Sequence, residues 1–473
     1  MTEEKRQKSS KLARKTVGVW ERYSATKQQE ALLFAQGYKE FLDKAKTERE
    51  VIKFLEATAV KAGFLPLEQV KSNGRQLKPG DKVYVVNKGK AIILCVIGTQ
   101  PLEKGLNILG SHVDSPRLDL KPNPLYEAEQ LAWLKTHYYG GIKKYQWLTI
   151  PLALHGVVYT GKGEEVEIVV GEKDTDPVFT VPDLLPHLAK EQMGKKLQEA
   201  ISGEGLNLLV GSIPVSEDGI KEKVKEWVLE YLNQHYGLIE EDFVSAELEA
   251  VPAGRARDVG FDLSLVGGYG QDDRVCAFAS LAAIQEITTP VQTALAIFVD
   301  KEETGSAGNT GMKSAFLENV IAELINGTVP QYSELLVRRA LANSRALSAD
   351  VNAGLDPHFE GVLEKNNASR LGHGVVLTKY TGSGGKSSTN DANAEYVNWV
   401  RRLFNTHDIP WQAAELGAVD KGGGGTIAQF MANYGMEVID CGVALFSMHS
   451  PFEVCSKADL HAMYQGYRAF LDT

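Results

Sequence analysis

An uninterrupted apolar run, Ala294–Val299, leads directly into the acidic stretch Asp300-Lys-Glu-Glu-Thr-Gly-Ser306. Such a run is typical of a strand that is covered on both faces, so its polar end should lie at the rim of the core. Side chains of neighbouring strand residues point to opposite sides. Of Glu302 and Glu303, one could therefore bind a cation while the other moves protons, because close carboxylates ionise together only when positive charge compensates them. A solvated acidic turn is the simpler alternative.

The length and charge of the chain limit the classes of protein it can be. Its 473 residues favour two domains, and 43% hydrophobic with 24% charged residues excludes wholesale disorder. The net charge of -10 argues against nucleic acid as the main partner. The four cysteines form no C-x-x-C pair, so neither a disulfide framework nor a cysteine-rich zinc site is indicated.

Membrane and export signals are not seen in the sequence. No apolar run reaches the roughly 20 residues that a membrane-spanning helix needs. The first residues, Met1–Lys8, contain no apolar stretch of the kind found in secretory leaders. We therefore expect a cytoplasmic location and no membrane partner.

The first half of the chain divides into two regions with different sequence patterns. Helical periodicity up to about Ala62 is followed by a predicted hairpin over Lys82–Ile97 and a strand at Leu106–Leu109. From about Leu118 to Pro252, strand-like runs lie among long polar stretches, with one charged helix predicted over Lys221–Gln234. We interpret residues 118–252 as an inserted, mostly-β domain, with residues 1–117 and 253–473 forming the two parts of a main domain.

After Gly270 the pattern alternates between helices and strands. The predicted elements are a helix over Arg274–Ile287, a strand over 293–299, helices over Lys313–Ile325 and Ala392–Phe404, a strand over Gly435–Leu445 and a helix over Lys457–Leu471. This alternation predicts an α/β fold with a mixed, largely parallel sheet flanked by helices. Ligands of such sheets bind at the carboxyl ends of the strands.

Residues that can bind metal ions follow several of these predicted strands. His112-Val-Asp114 ends a strand, and a carboxylate close to a ligating histidine commonly holds its second ring nitrogen. An ordinary loop histidine is the alternative. Asp272 and Asp273 open a helix, where acidic residues also serve as caps. Asp350 and His449 each follow apolar or small residues, and alone neither would be notable.

The number of these residues changes the interpretation. Five segments each supply a histidine or a carboxylate at the end of a strand or loop: His112, Asp272, Glu303, Asp350 and His449. Two imidazoles and three carboxylates suit two zinc-like ions that share one bridging aspartate. Glu302 then remains as an unligated base.

Two other motifs, a phosphate-binding loop and a nucleophile elbow, are excluded. The glycine run Gly422–Gly425 is not a phosphate-binding loop, because Lys421 precedes the glycines instead of following them. No G-x-S-x-G nucleophile elbow is present. A close approach of the backbone to bound substrate, for which Gly425 is our candidate, or a flexible turn explains the run better.

Together these residues resemble the aspartyl aminopeptidase / aminopeptidase I family of dinuclear zinc exopeptidases. The family's motifs occur in order over nearly the full length of the chain: Gly110-Ser-His-Val-Asp-Ser-Pro-Arg117, Asp272-Asp273, Asp300-Lys-Glu-Glu-Thr-Gly-Ser306, Ser348-Ala-Asp350 and Ser447-Met-His-Ser450. The resemblance implies a zinc-exopeptidase-like catalytic domain around an inserted dimerisation domain. It also implies peptide substrates, and dimers that assemble into a tetrahedral dodecamer.

The resemblance implies a set of ligands for two ions: His112 and Asp350 for one zinc, Glu303 and His449 for the other, and Asp272 for both. It also implies a cis peptide bond between Asp272 and Asp273. Asp114 would orient His112, and Glu302 would be the general base. Cobalt and manganese accept the same ligands as zinc.

Two further segments look like parts of the family's substrate site. Pro151-Leu-Ala-Leu-His155 resembles a segment whose histidine enters the neighbouring subunit's active site and stabilises the oxyanion; a core histidine in a strand is the alternative. The stretch around Lys379 resembles a substrate-binding strand, with a solvated surface lysine as the alternative. The sequence departs from better-known members at Gly382–Lys386 and Ala418–Lys421, which leaves a preference for acidic N-terminal residues open.

The predicted function is therefore hydrolysis of the N-terminal residue of peptides by a metal-bridging water and a glutamate base. One alternative is a metal-dependent amidohydrolase or deacylase on the same scaffold. The other is a non-catalytic, self-assembling shell.

Overall fold

The computed structural model describes Leu12 and residues 17–382 and 384–473. The stretch Met1–Lys8 discussed above lies outside the described residues, as does Ser383 of the Gly382–Lys386 segment. The α-helices of the described chain are α1 Val19–Arg22, α2 Ala25–Lys44, α3 Glu48–Lys61, α4 Leu67–Ser72, α5 Lys190–Met193, α6 Leu197–Ala200, α7 Lys223–Tyr236, α8 Gln271–Glu286, α9 Phe316–Thr328, α10 Glu334–Asn343, α11 Ala394–Thr406, α12 Ala428–Ala432 and α13 Lys457–Leu471.

The strands of the described chain are β1 Leu65–Pro66, β2 Lys82–Asn87, β3 Ala91–Val96, β4 Leu106–His112, β5 Arg117–Ala128, β6 Leu131–Tyr139, β7 Leu152–Tyr159, β8 Glu165–Val170, β9 Leu208–Gly211, β10 Ala246–Pro252, β11 Arg257–Val259, β12 Leu265–Gly268, β13 Thr293–Val299, β14 Arg345–Ser348, β15 Asn352–Ala353, β16 Val375–Thr378, β17 Trp411–Ala414, β18 Glu437–Gly442, β19 Ala444–Phe446 and β20 Glu453–Ser456.

The largest sheet of the described chain has nine strands, in the order β1-β2-β3-β13-β4-β14-β18-β16-β17. The strands β13, β4, β14 and β18 at its centre are mutually parallel, and the antiparallel pairs are β2-β3, β3-β13 and β16-β18. Helices cover both faces, with α8 and α13 packed together on one of them. The predicted mixed, largely parallel α/β fold is confirmed.

The position of β13 inside the sheet explains why its sequence is apolar without interruption. Ala294, Ala296 and Phe298 contribute to the core on one face of the sheet, whereas Leu295 and Ile297 contribute to the core on the other. Successive side chains of a strand alternate between faces, so a strand with helices on both sides must be apolar at every position. The acidic stretch after Val299 therefore begins where the covered sheet ends.

Most of the elements predicted for the main domain are present, but one predicted strand is in fact two strands. The stretch Gly435–Leu445, predicted as a single strand, is divided between β18 in the large sheet and β19 in a different sheet. The division falls after Gly442, where a β-carbon would lie 2.0 Å from the carbonyl oxygen of Asp350. Only glycine permits the backbone to pass so close to this aspartate.

A second sheet, antiparallel throughout, is built from strands between Arg117 and Pro252 in the order β8-β7-β10-β5-β6-β9. It has its own core, in which Trp147 is fully buried, and α7 packs against it. The sheet lies in the region where the sequence predicts an inserted domain.

A third sheet of the described residues, in the order β11-β12-β20-β19-β15, lies next to the carboxyl ends of the central strands. The described chain contains no helix that is both long and apolar enough to span a membrane.

Candidate metal centre

Three central strands end side by side, and their ends carry most of the predicted site. β4 lies between β13 and β14 and runs parallel to both, with its last residue, His112, opposite Val299 of β13. Asp350 follows the last residue of β14 by two positions, and Glu302 and Glu303 lie in the turn after β13. Parallel neighbours bring these side chains to one edge of the sheet, as expected for an α/β ligand site.

The third sheet supplies the remaining two predicted ligands. Strand β12 leads into α8, whose second residue is Asp272, and the loop between β19 and β20 carries His449. β12 and β20 are antiparallel partners, with Gly268 opposite Glu453. This pairing holds the start of α8 beside the histidine loop.

The five predicted ligands form two groups that share one residue. Donor atoms of His112, Asp272 and Asp350 lie within 4.8 Å of one another, and so do those of Asp272, Glu303 and His449. Nε2 of His112 is 3.1 Å from Oδ1 of Asp272, and Nε2 of His449 is 3.2 Å from its Oδ2. Each oxygen of Asp272 thus faces a different group, which is the arrangement a bridging carboxylate needs.

Both histidines are oriented by their other ring nitrogen. Nδ1 of His449 lies 2.7 Å from the carbonyl oxygen of Gly141, which belongs to the loop after β6. Nδ1 of His112 lies 3.0 Å from the carbonyl oxygen of Asp114 and 3.4 Å from its carboxylate. An N–H donated to these acceptors fixes the tautomer and leaves each Nε2 free to bind a cation.

The start of α8 does not use its aspartates as helix caps. Asp272 and Asp273 have non-helical backbone angles, and the peptide bond between them is cis, as the resemblance implied. The side chain of Asp272 faces the two histidines instead of the helix N–H groups. A different carboxylate, that of the fully buried Glu453, accepts hydrogen bonds from the N–H groups of Gln271, Asp272 and His449. One side chain therefore joins the segments of two predicted ligands.

The side chains of the two adjacent glutamates diverge because both residues lie in a turn, and not because side chains alternate along a strand. Glu302 and Glu303 lie in a single 3-10 turn, preceded by Lys301 at φ 71° and followed by Gly305 at φ 92°. Glu303 extends towards His449, with Oε1 3.4 Å from its Nε2. Glu302 belongs to neither ligand group and lines the cleft above them. The different tasks expected for the pair are compatible with this geometry.

The carboxylate of Asp114 holds this turn in place. Its Oδ1 accepts a hydrogen bond from the N–H of Glu302 at 3.1 Å, and its Oδ2 accepts one from the N–H of Glu303 at 3.2 Å. The hydroxyl of Tyr139 donates a third, at 2.8 Å. Asp114 therefore contacts both His112, as predicted, and the backbone of the glutamate turn.

Burial and the closeness of other charges strongly shift the pKa values of the side chains in and beside the two ligand groups. Burial, together with neighbouring negative charge, raises the pKa of Glu303 and of Asp350 well above their usual range, and raises the pKa of Glu302 to about 7. Burial acts against the charged form of His449, but contacts with Asp272 and Glu303 still raise its pKa to about 10. Despite burial, hydrogen bonds from both histidines lower the pKa of Asp272.

These residues fit divalent metal ions. Glu303 Oε1 is buried without a hydrogen-bond partner in the described chain, and imidazole nitrogen with carboxylate oxygen is a donor set that zinc accepts. A cation between the carboxylates would remove the cost of ionising them together. His112, Asp350 and Asp272 could hold one ion, and Asp272, Glu303 and His449 another.

The two groups open into a cleft of about 900 Å³. The glycine run Gly422–Gly425 lines it, so Gly425 lies where the sequence placed a substrate contact. Lys379 is not among the lining residues; its side chain is 46% exposed and its Nζ is 3.7 Å from Asp391. The lysines that do line the cleft are Lys143 and Lys421.

His155 lies apart from the metal ligands of its own chain. Its Nδ1 is 2.7 Å from Glu50 and its Nε2 is 3.0 Å from Glu172, so both ring nitrogens are occupied by carboxylates. Lys46 also pairs with Glu172, at 2.6 Å. Only 2% of His155 is exposed, which favours the alternative of a strand histidine within the subunit. Its predicted contact with a neighbouring subunit stays a prediction.

Several contributors to the site were not predicted from the sequence. Tyr139 and Gly141 come from β6 of the second sheet and the loop after it, outside every segment that carries the family resemblance. Glu453 lies four residues after His449, and a buried carboxylate so close to a ligand motif could have been a signal.

The fold and the two groups of candidate ligands are typical of one class of protein, the α/β proteins that bind metal ions near the carboxyl ends of parallel strands. The chain matches the model of the family "Aminopeptidase I zinc metalloprotease (M18)" over residues 41–471. It therefore belongs to this family and is a zinc metalloaminopeptidase.

Individual relatives agree with this assignment. A probable M18 family aminopeptidase 1 from Clostridium acetobutylicum is 53% identical over 96% of this chain and 97% of its own length. The crystal structure of an M18 aminopeptidase from Thermotoga maritima has a TM-score of 0.93, at 48% identity over 97% of this chain and all of that one. The mApe1 dodecamer of S. cerevisiae, 23% identical over 92% of this chain and 95% of that one, shares the fold with a TM-score of 0.75.

We expect zinc binding at pH 7 to release protons. The raised pKa of His449, about 10, means that the cation-free imidazole is protonated at pH 7, and zinc can bind only the neutral ring. Zinc affinity should therefore rise between pH 6 and pH 8. Calorimetric titration in two buffers with different ionisation enthalpies measures the protons released, and a value of zero would contradict the expectation.

We expect His155→Phe to lower the melting temperature more at pH 6 than at pH 9. Although burial opposes it, contacts with Glu172 and Glu50 raise the pKa of His155 above its usual value near 6.5. The stabilisation is then complete below about pH 6.5 and is lost as pH rises through the raised pKa. Thermal unfolding of wild type and variant at both pH values checks this. A large loss of kcat at unchanged melting temperature would instead support the cross-subunit role.

Proposed function

We propose that this aminopeptidase removes the N-terminal residue of peptides with two divalent metal ions, most readily zinc, at the centre described above. The observation that supports two ions is the position of Asp272, whose oxygens face His112 and His449 on opposite sides. One bridging carboxylate between two ligand groups suits a pair of ions better than a single one.

When bound, the ions would lower the pKa of an attacking water and polarise the scissile carbonyl. His112, Asp350 and Asp272 would hold one ion, and Asp272, Glu303 and His449 the other. Asp114 would keep the imidazole of His112 and the glutamate turn oriented. Acidic side chains around the cleft would also attract the free α-amine of a peptide, which would restrict cleavage to the first residue.

Glu302 is the proposed general base. It lines the cleft beside the ligands without belonging to either group, and a carboxylate in this position can accept a proton and later return it. It would take a proton from the attacking water and deliver it to the departing amine.

Glu302→Gln should lower kcat on the order of 10³-fold, because the amide cannot accept the proton. Zinc content should stay near the wild-type value, since Glu302 is not a proposed ligand. Glu68→Gln, at a side chain that is 88% exposed on α4, is the control. Activity is measured on short peptides and zinc by elemental analysis. Joint loss of zinc and activity would move Glu302 into the ligand set.

The same peptides distinguish the alternatives. An aminopeptidase requires a free α-amine, so N-acetylated copies of the peptides should not be cleaved. Faster cleavage of the N-acetylated compounds would favour an amidohydrolase or deacylase. No cleavage of either, with zinc fully bound, would favour a non-catalytic shell.

The preferred N-terminal residue is the open part of the function. If acidic residues are accepted, we propose that Lys143 and Lys421, which line the cleft, contact them in preference to Lys379, which pairs with Asp391. Gly425 would let the backbone approach the peptide closely.

Lys143→Ala and Lys421→Ala should each lower kcat/KM several-fold for peptides that begin with Asp or Glu, with little change for peptides that begin with Leu. Lys379→Ala should change neither class by more than about twofold. A selective loss for acidic peptides in Lys379→Ala alone would restore the assignment made from the sequence.

We also propose that the chain forms a homo-oligomer, with a dimer as its unit and a tetrahedral dodecamer as the complete assembly. The proposal is supported by the family, whose relative from S. cerevisiae is described as a dodecamer. Light scattering on the purified zinc-bound protein measures the mass; a monomer at working concentration would overturn it.

A further inference from the structure

Tyr139, the last residue of β6 in the second sheet, reaches the metal centre from outside the main domain. Its hydroxyl donates a hydrogen bond of 2.8 Å to Oδ2 of Asp114. The guanidinium of Arg117 lies 3.9 Å from the centre of its ring, and Nζ of Lys301 lies 5.7 Å from it. The ring thus lies close to two cations, and its hydroxyl is directed at one carboxylate.

Asp114 transmits this contact to the reacting region. Its carboxylate is fully buried and accepts from the N–H groups of Glu302 and Glu303. The same Oδ2 accepts from both Tyr139 and Glu303. Movement of this oxygen would therefore move the glutamate turn, and with it the carboxylate of Glu302.

We propose that Tyr139 is a positioning residue for Glu302 that acts through Asp114, so that the second sheet helps to align the general base. The proposal rests on the assignment of Glu302 as the base. It extends that assignment to a residue of the region where the sequence predicts an inserted domain.

The chemistry of the phenol fits a fixed donor. Burial and the charge of Asp114 raise the pKa of Tyr139 far above neutral pH, so the hydroxyl keeps its proton. A carboxylate that receives three donors is held more firmly than one that receives two, because each charge-assisted hydrogen bond restricts its rotation. A displacement of about 1 Å at a reacting group can already cost roughly 10²-fold in rate.

Tyr139→Phe removes the hydroxyl that donates to Asp114 and keeps the ring beside Arg117 and Lys301. We expect kcat to fall about tenfold, as is typical when an outer partner of a metal site is lost. KM should stay within about twofold, and zinc content should not change, because no proposed ligand or cleft-lining residue is altered. Tyr138→Phe, at the neighbouring tyrosine that is 41% exposed, is the matched control and should behave as wild type.

A double-mutant cycle tests the route through Asp114. The effect of Tyr139→Phe on kcat should shrink to less than about twofold in an Asp114→Asn background, since contacting residues are energetically coupled. An equal effect in both backgrounds would overturn the route, and an unchanged kcat in Tyr139→Phe alone would overturn the proposal. A fall in zinc content that accounts for the lost activity would also overturn it, because Tyr139 would then act on the ligands.

The Glu302→Gln variant separates this proposal from the proposed function. If Glu302→Gln is inactive and Tyr139→Phe is unaffected, only the positioning role fails. If Glu302→Gln keeps its turnover, the assignment of the base fails, and the proposal that depends on it fails with it.

Discussion

The candidate metal centre depends on positive charge that compensates the carboxylates buried at one edge of the large sheet. Asp272, Glu303 and Asp350 lie close together among buried neighbours, and the raised pKa values of Glu303 and Asp350 reflect the cost of ionising them. A pair of divalent cations would remove that cost, whereas protons would remove it only by neutralising the ligands. The surrounding hydrogen bonds orient the two histidines and the backbone of the turn that carries Glu303, and Oε1 of Glu303 has no hydrogen-bond partner in the described chain.

The large sheet provides the rigid part of this frame. Because β13, β4 and β14 are parallel neighbours, their ends bring a glutamate turn, a histidine and an aspartate to one place although β4 lies far from the other two in the sequence. The third sheet adds the other half, and Glu453 joins its two contributions through backbone N–H groups. The second sheet contributes the Gly141 carbonyl and the Tyr139 hydroxyl. Each of the three sheets therefore supports a different part of the centre.

The features that the sequence predicted are those that depend on the order of residues within short segments of the chain. The uninterrupted apolar run of β13 predicted a doubly covered strand, and the five ligand segments were found from residue type and position at strand ends. Their roles as ligands are still proposals, but the structure brings all five together.

What the sequence did not predict depends on contacts between distant segments. Nothing near Tyr139 or Gly141 indicates that they approach Asp114 and His449, because those contacts arise only when the second sheet packs on the strand ends. The division of β18 from β19 has the same origin, since it follows from the passage of Gly442 beside the backbone of Asp350. Lys379 and His155 were singled out by resemblance. Within the described chain Lys379 pairs with Asp391, and His155 pairs with Glu50 and Glu172, while their predicted roles stay predictions.

The spread of the ligand groups along the chain has a consequence for synthesis. His112 is made long before His449 and its partner Glu453. A ribosome makes the chain from its N-terminus, so a product that stops before His449 contains Asp272 and Glu303 but lacks the third member of their group. Copies that stop before His449 would carry no competent centre, and activity would arise only once this histidine has been made and folded into place.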